Sequence, residues 1–383
     1  MHGKIVKVFS IILLLGLMMA LVLPNGCATA GRAPARSQVT VTDLAGRQVS
    51  VTVPVERVVL ASGRDLHVVA ALAGENALKK IVGWGPDLKS YDLDTYLKYK
   101  EKFPEIETIP DIGYHLKGTF SVEKVISLKP DVVIFPLWAA EGEGAAGDIA
   151  KLEQAGIPSV IQDYWKDPFE NSIPSTLLLS TLLGEEKRAQ EIVDFCQEQV
   201  NNVVARLQKI DKPRPAVYVE VGDKGPSEYS STYGNIGWGA YIVKAGGINI
   251  AEGIMKGTGP INPEYLLKTN PDVIIISGSY RPETPGSMKL GYQANTEESR
   301  RLLKAFTERP GWNTLSAVKN GRVYSIYHPF VSRIHNFVAI PAFAKWFYPD
   351  EFQDLDPEKI FKEFHQRFLP VDYSGVWMTG IKE

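Results

Sequence analysis

The sequence of 383 residues predicts an α/β protein with two doubly wound lobes that are joined by a single long α-helix. A stretch that occurs twice is the first observation: Val122 to Ile134 aligns without a gap with Pro263 to Ile275. Strand and helix patterns alternate on both sides of each copy, as in doubly wound sheets. A helical apolar stripe between the two lobes, ending at Ile210, is the third observation.

Each copy of the repeat predicts one helix followed by one buried strand. Ser121 and Asn262 are good N-cap residues, and Glu123 and Glu264 fall two positions later in the first turn, where the helix dipole favours negative charge. A Pro-Asp pair then ends the helix, because proline does not continue it. The β-branched apolar run that follows is typical of a strand buried in a parallel sheet.

The N-terminus predicts export from the cytoplasm. Two lysines precede an apolar run from Val8 to Leu23, and the signal peptide ends at Cys27. This pattern is typical of a bacterial lipoprotein signal over residues 1–27, so Cys27 is the expected lipidation site, with secretion of the unlipidated chain as the alternative. Residues 28–38 have the small, polar composition of a tether. Lipidation leaves Cys196 without a disulfide partner, which predicts a buried structural thiol.

The remaining chain divides into four predicted parts. Residues 39–168 form the N-terminal lobe, 169–212 the linking helix, 213–335 the C-terminal lobe and 336–383 a helical segment. The first lobe is predicted to contain a hairpin at Val39–Val53, strands at Arg57–Ser62, Ile81–Trp84 and Pro158–Gln162, and helices at Asp65–Ala73 and Gly147–Ala155, besides the repeat. The second is predicted to contain strands at Ala216–Val221 and Arg322–Tyr327, a helix ending at Ala245 and a helix at Glu297–Thr307, besides the repeat.

Composition limits the function classes. The chain is 44% apolar and 22% charged, which is ordinary for a folded globular protein and argues against disorder. A formal net charge of −2 gives no sign of a nucleic-acid surface. No Ser/His/Asp or paired-carboxylate signature is evident, so no catalytic residues are predicted.

Several further motifs point to one family. They are Val55-Glu-Arg-Val-Val59, the repeat, Ala245-Gly-Gly-Ile-Asn249, and Gly311-Trp312 leading to Asn320-Gly-Arg-Val-Tyr324. In their order and spacing the chain resembles the substrate-binding proteins of ABC importers for iron-siderophore complexes, haem and cobalamin. The resemblance implies a ligand cleft between two lobes that move little. It also implies a monomer outside the cytoplasm that works with an ABC permease and its ATPase, and docks through Glu123 and Glu264.

Aromatic and cationic side chains at strand ends and in loops are the candidate ligand contacts. Aromatic rings suit a bulky planar ligand, and arginines suit carboxylates or an anionic ferric chelate. Tyr114 also matches the place of an iron-ligating tyrosine in the haem-binding branch. The candidates are Arg64, Tyr114, His115, Trp138, Trp165, Tyr233, Trp238, Tyr280, Arg281, Arg333 and His335. His328 lies in the same kind of loop, whereas His67 and His365 are expected to be structural.

The preferred interpretation is a non-enzymatic binding protein without a resident cofactor that delivers an iron chelate to a permease. Haem or cobalamin binding, bare Zn²⁺ or Mn²⁺ binding, and a two-lobed α/β enzyme are the alternatives. The segment Gly142–Gly147 fits the G-x-G-x-x-G pattern of dinucleotide sites. Glu141, Glu143 and Asp148 would repel a pyrophosphate there, so a loop lining the cleft is the better interpretation.

Overall fold

Two parallel sheets, one at the centre of each lobe, organise residues 36–382, which are the part of the chain that the computed structural model describes. The first sheet has four parallel strands in the order β4-β3-β5-β6. The elements of this lobe are β1 (Ser37–Thr42), β2 (Gln48–Val53), β3 (Val58–Leu60), α1 (Leu66–Ala73), α2 (Ala77–Lys80), β4 (Ile81–Trp84), α3 (Asp87–Tyr91), α4 (Leu93–Lys102), α5 (Val122–Ser127), β5 (Val132–Pro136), α6 (Leu137–Ala140), α7 (Ala145–Gln154) and β6 (Ser159–Gln162).

The second sheet has five strands in the order β13-β12-β11-β7-β9, and only β13 is antiparallel to its neighbour. A short antiparallel pair, β8 and β10, lies beside it. The elements are β7 (Ala216–Val221), β8 (Ser231–Tyr233), α10 (Trp238–Lys244), β9 (Ile248–Asn249), β10 (Thr258–Pro260), α11 (Pro263–Thr269), β11 (Val273–Gly278), α12 (Thr296–Thr307), α13 (Ser316–Asn320), β12 (Val323–Tyr327), α14 (Ala339–Phe347), α15 (Pro357–Phe368) and β13 (Met378–Gly380).

Both sheets are doubly wound, as predicted. The chain runs outward from β3 to β4 in one direction and from β5 to β6 in the other, so the strand order reverses between β3 and β5. In the second sheet it reverses between β7 and β11. In open α/β sheets, ligands bind beyond the carboxyl ends of the strands at such switch points. The loops after these strands are therefore where a site is expected.

The repeat folds as predicted in both lobes. Ser121 Oγ accepts a hydrogen bond from the Lys124 backbone N–H at 3.2 Å, which caps α5. Asn262 Oδ1 accepts from the backbone N–H groups of Glu264 and Tyr265 at 2.8 and 3.1 Å, which caps α11. The following strands, β5 and β11, are central in their sheets and fully buried. The prediction of the hairpin formed by β1 and β2 is also confirmed.

The prediction of one long linking helix is wrong. The segment folds as two helices, α8 (Pro168–Leu183) and α9 (Glu186–Leu207). Gly184 separates them in the left-handed conformation, at φ 74°, and a helix ends where one residue adopts that geometry. Cys196 in α9 is a free thiol that packs half-buried against apolar side chains, so the predicted burial is only partial, and burial of the thiol raises its pKa.

The C-terminal segment is helical only as far as Phe368. Its last strand, β13, pairs with β12 at the edge of the second sheet, so the boundary placed after residue 335 cuts through one lobe. Three residues with one β-branched side chain are too short a pattern to predict a strand. Within residues 36–382, no helix is both long and apolar enough to cross a membrane. The predicted signal peptide and Cys27 lie outside the described residues.

Candidate functional site

A cleft of about 340 Å³ opens where loops from the two sheets face each other. The first lobe contributes side chains that follow β3, β4, β5 and β6, and the second lobe contributes the loop after β12. Its lining residues are Arg64, Leu116, Trp138, Trp165, His328, Val331, Ser332 and Arg333. The structure therefore brings four of the predicted ligand contacts, Arg64, Trp138, Trp165 and Arg333, together at one cleft.

The loop after β3 holds Arg64 in a fixed position. Asp87 Oδ2 accepts a hydrogen bond from Arg64 Nε at 2.7 Å, and Asp87 Oδ1 accepts from the backbone N–H of Gly63 at 2.7 Å. A Cβ at Gly63 would lie 2.4 Å from the carbonyl oxygen of Gly85, so only glycine allows the two loops to approach this closely. Asp87 holds Nε, the Tyr114 hydroxyl makes a further side-chain contact with Arg64, and the guanidinium lines the cleft.

Arg333 lines the cleft from the second lobe, and Arg281, which does not line it, lies close enough to His328 for its charge to act there. Arg333 Nη1 donates to Ser332 Oγ at 2.8 Å. The Nε atoms of Arg281 and Arg333 are both buried, and neither has a hydrogen-bond acceptor within residues 36–382. A buried N–H without a partner costs about 1–3 kcal/mol, and an anion placed between the guanidinium groups would remove that cost.

His328 lies among these three arginines. Burial, together with the positive charges of Arg281, Arg64 and Arg333, lowers the pKa of His328 to about 3, so the imidazole is neutral at physiological pH. The Ser277 hydroxyl lies 3.0 Å from Nδ1, and Trp238 Nε1 donates to the same atom at 3.5 Å. With Nδ1 accepting, the ring hydrogen is on Nε2, where it is a neutral donor to a ligand.

Aromatic rings form the walls of the cleft. Tyr114 packs edge-on against Trp138, with ring centroids 5.9 Å apart, and Trp165 packs edge-on against Tyr233 at 6.3 Å. Tyr114 is only 2% exposed and lies beside Arg64. Burial is the main cause that raises the pKa of Tyr114 to about 12. Tyr114 therefore packs against Trp138, and Tyr233 against Trp165, on the side of each tryptophan away from the ligand space.

Trp238, His115 and His335 are predicted contacts that are not among the residues lining the cleft. Trp238 is fully buried and packs on Phe343 in the core, so it acts on the site only through His328. The ring of His115 stacks on Phe120, with centroids 4.0 Å apart, in the core of the first lobe. The interpretation of Trp238 as a direct cleft contact is wrong, because its ring is fully buried. His115 is half-buried and is not among the residues that line the cleft.

His335 is the third of these residues and belongs to a buried polar network beneath the cleft. Its Nε2 lies 3.4 Å from Nδ1 of His67, whose Nε2 lies 2.6 Å from Asp92 Oδ2. Tyr327 of the second lobe donates to Asp92 Oδ1 at 2.6 Å, so this network joins the two lobes. Burial opposes ionisation of Asp92, but the bonds from His67 and Tyr327 lower its pKa. Tyr280 is half-buried in the loop after β11.

His67 and His365 are structural, as predicted. His67 is bonded in the network, and His365 Nε2 lies 2.8 Å from the Tyr292 hydroxyl.

Sequence reasoning missed Leu116 and Asp87 and left His328 outside the candidate set. Leu116 is 68% exposed at the rim of the cleft, next to the half-buried His115. Nothing in the sequence marks Asp87, which comes into contact with Arg64 only through the fold. His328 directly follows a strand end, and that position was the available signal. Within the described residues, no three His, Cys, Asp or Glu side chains come together as a metal site.

Glu123 and Glu264 are not among the residues that line the cleft, and both are exposed in the first turns of α5 and α11. Each is therefore free to meet a partner surface. Their equivalent place in the two copies of the repeat is as predicted.

Comparison with known proteins identifies the family. The family model described as "Periplasmic binding protein" matches residues 63–328, which is more than half of the chain. A solved structure of the TroA-like periplasmic binding protein FepB from Veillonella parvula is 39% identical, with a TM-score of 0.85 over 90% of this chain and 99% of that one.

Two more distant relatives carry names that mention a ligand. The molybdate-binding protein MolA of Haemophilus influenzae is 23% identical over 87% of this chain and 91% of its own length. Its molybdate-bound structure has a TM-score of 0.65 at 21% identity, which shows the shared fold. The Fe(3+)-citrate-binding protein YfmC of Bacillus subtilis is 24% identical over 56% of this chain and 59% of its own length.

Proposed function

We propose that this chain carries an anionic ferric chelate. The chain belongs to the periplasmic binding protein family and serves an ABC transporter as its extracytoplasmic substrate-binding protein. Members of this family bind solutes and are not enzymes. The proposal concerns the ligand, and the convergence of Arg64, Arg281 and Arg333 around a neutral histidine is the observation that supports it most directly.

The charge of the cleft favours an anion with several carboxylates. The two buried Nε atoms of Arg281 and Arg333 have no acceptor within residues 36–382, and Arg64 lines the same cleft as Arg333. Guanidinium groups match carboxylates in a bidentate way and remain charged at all physiological pH values. A ferric citrate-type complex presents such carboxylates around its metal, so the protein need not ligate iron itself.

The size and walls of the cleft favour a chelate over a small inorganic anion. A volume of about 340 Å³ is within the range of sites for small organic ligands. Trp138, Trp165 and Leu116 offer apolar contact that a hydrated inorganic anion does not use. The name of YfmC is in line with this ligand class.

A molybdate-like oxyanion is the second candidate. The specific observation in its favour is that His328 and the two unpaired arginine Nε atoms are all N–H donors, which suit a tetrahedral oxyanion as well as a carboxylate. The name of MolA is in line with this candidate. Haem is less favoured, because the phenol of Tyr114 is buried beside Arg64 with a raised pKa, whereas iron ligation requires an accessible phenolate.

Titration of the purified protein with ferric citrate, molybdate and haem tests the proposal. Trp138 and Trp165 line the cleft, so a bound ligand is expected to quench tryptophan fluorescence. We expect saturable binding of ferric citrate in the micromolar range or tighter, and weaker binding of the other two. Tighter binding of molybdate would select the oxyanion, and saturable binding of free Zn²⁺ or Mn²⁺ without these ligands would overturn the proposal.

The transport partner is proposed to be an ABC permease with its ATPase, contacted through Glu123 and Glu264. Two exposed acids at equivalent positions of both lobes suit a two-part basic surface on the membrane subunits.

A further inference from the structure

Asp65 is a buried carboxyl directly behind the cleft. It ends the short 3₁₀ turn Gly63–Asp65, so that Arg64 faces the ligand space and Asp65, which is 5% exposed, faces the interior. Its Oδ1 accepts a hydrogen bond from Gln162 Nε2 at 3.0 Å. Its Oδ2 is buried and accepts no hydrogen bond from any described residue. A buried carboxylate oxygen in that state is costly unless it takes up a proton.

Arg333 is the cation that shares this space. It is 8% exposed, and its Nε has no acceptor in the described part of the chain. Asp65 and Arg333 attract each other through their charges: the Arg333 guanidinium lowers the pKa of Asp65, and the Asp65 carboxylate raises the pKa of Arg333. No hydrogen bond or ion pair joins the two side chains within residues 36–382. The two side chains therefore attract each other without a direct contact.

The charged and polar groups around Asp65 set its protonation. Burial is the largest cause and raises the pKa of Asp65 to about 7, and the negative charge of Asp87 adds to the increase. Arg333, the hydrogen bond from Gln162 and the charge of Arg64 act in the opposite direction.

Two other titratable groups in this region do not change charge near neutral pH. Tyr164 is buried next to Asp65, and burial raises its pKa far above neutrality. His328 is already neutral above a pKa of about 3.

We propose that Asp65 couples ligand binding to proton uptake, because its ionised form competes with an anionic ligand for Arg333. The inference rests on the proposed anion-binding function of the cleft. A bound anion neutralises the field of Arg333 and adds its own negative charge near Asp65, so the carboxylate loses its stabilising partner. Asp65 then takes one proton from the buffer on Oδ2, and no bond to the ligand forms or breaks.

The sign of the pH dependence follows from this competition. Below about pH 6 Asp65 is protonated with and without ligand, so affinity is highest there and does not depend on Asp65. As the pH rises through the pKa of the free protein, ligand binding must bring a proton with it, and affinity falls by up to about tenfold per pH unit. An anion would thus be held more tightly in acid and released more easily at alkaline pH.

Calorimetric titration with ferric citrate between pH 5.5 and 8.5 tests the coupling. Wild type, Asp65→Asn and Asp350→Asn are compared in buffers of different ionisation enthalpy. Asp350, whose side chain is 79% exposed, is the matched control. We expect up to one proton taken up per ligand near pH 7.5 in wild type and in Asp350→Asn. Asp65→Asn keeps the Oδ1 acceptor for Gln162, and we expect this variant to take up no such proton on ligand binding. Any proton exchange by the ligand itself is the same for all three proteins and cancels in the comparison.

The outcomes separate the coupling from the proposed function. No binding of ferric citrate by the wild type would overturn the ligand class and the coupling with it. Binding with equal proton uptake in wild type and Asp65→Asn would overturn only the coupling. If Asp65→Asn does not fold, ¹³C NMR of labelled aspartate carboxyls in the wild type, with diamagnetic gallium citrate as the probe, replaces it. The midpoint of the buried carboxyl must then rise on binding, and an unchanged midpoint would refute the proposal.

Discussion

Lys129 and Asn270 are the two non-glycine residues with a positive φ among residues 36–382, at 48° and 51°, and they occupy the same position in the two copies of the repeat. Each lies directly before the Pro-Asp pair that leads into a central strand. The Asn270 side chain is anchored, since Oδ1 accepts from the Ser316 backbone N–H at 2.7 Å. Lys129 is exposed and has no comparable anchor. The left-handed backbone conformation is therefore a shared feature of both copies of the repeat, and in the first lobe it strains Lys129.

The first prediction is that Lys129→Gly raises the free energy of unfolding by up to about 1 kcal/mol. Glycine adopts the left-handed conformation without the clash of a Cβ, although the more flexible unfolded chain offsets part of the gain. The matched control is Lys124→Gly in helix α5, where glycine lowers stability by about 1 kcal/mol. Urea denaturation measures both. A loss of stability in Lys129→Gly would contradict the strain.

The second prediction concerns the arginines of the cleft. Arg281→Gln and Arg333→Gln should each weaken ferric citrate binding by about tenfold to a hundredfold, because each removes a charge-assisted hydrogen bond worth about 1.5–3 kcal/mol. Arg301→Gln, an exposed arginine on α12, is the control and should leave affinity unchanged. Fluorescence titration compares the three. Equal affinity in all of them would remove the arginines from the ligand site.

The third prediction is a loss of stability in acid that depends on His365. Burial lowers the pKa of His365 to about 4, whereas histidine in an unfolded chain titrates near about 6.5. The unfolded state therefore binds the extra proton first as the pH falls, so stability is full above about pH 6.5 and decreases down to about pH 4. His365→Gln should reduce this slope by up to about 1.4 kcal/mol per pH unit.

Denaturation curves at several pH values measure the change. Lys362→Gln, an exposed position on the same helix, is the control, because lysine does not titrate in this range. A slope in His365→Gln equal to that of the wild type would show that other groups account for the acid sensitivity.

The fold was largely predictable because its strongest signals are local and repeated. Caps at Ser121 and Asn262, Pro-Asp pairs and β-branched runs all favour the same elements, so local preference and global fold agree. The two-helix linker was predictable in principle: Gly184 followed by two acids is a helix end and a helix start. The uninterrupted apolar content before Gly184 obscured that signal.

The site was predictable only as far as strand ends determine it. Arg64, Arg281 and Arg333 converge because each belongs to a loop at the carboxyl edge of a parallel sheet. The direction of a side chain within such a loop depends on packing between distant segments. Thus Arg64 faces the ligand space while Asp65 faces inward, and no sequence pattern distinguishes them.

The last prediction is that Glu123→Ala combined with Glu264→Ala abolishes most transport and leaves ligand affinity unchanged. Both acids are exposed, and neither belongs to the cleft. Each lies in the first turn of its helix, where an acid is worth only about 0.3–1 kcal/mol to stability, so the fold should persist. Surface charges that pair across an interface set encounter rate and orientation.

Uptake through the cognate permease and fluorescence titration of ferric citrate separate the two roles. Glu297→Ala, in the first turn of α12, is the control for loss of an exposed helix acid. Normal uptake by the double variant would reject docking through these residues, and lost ligand binding would place them in the site instead.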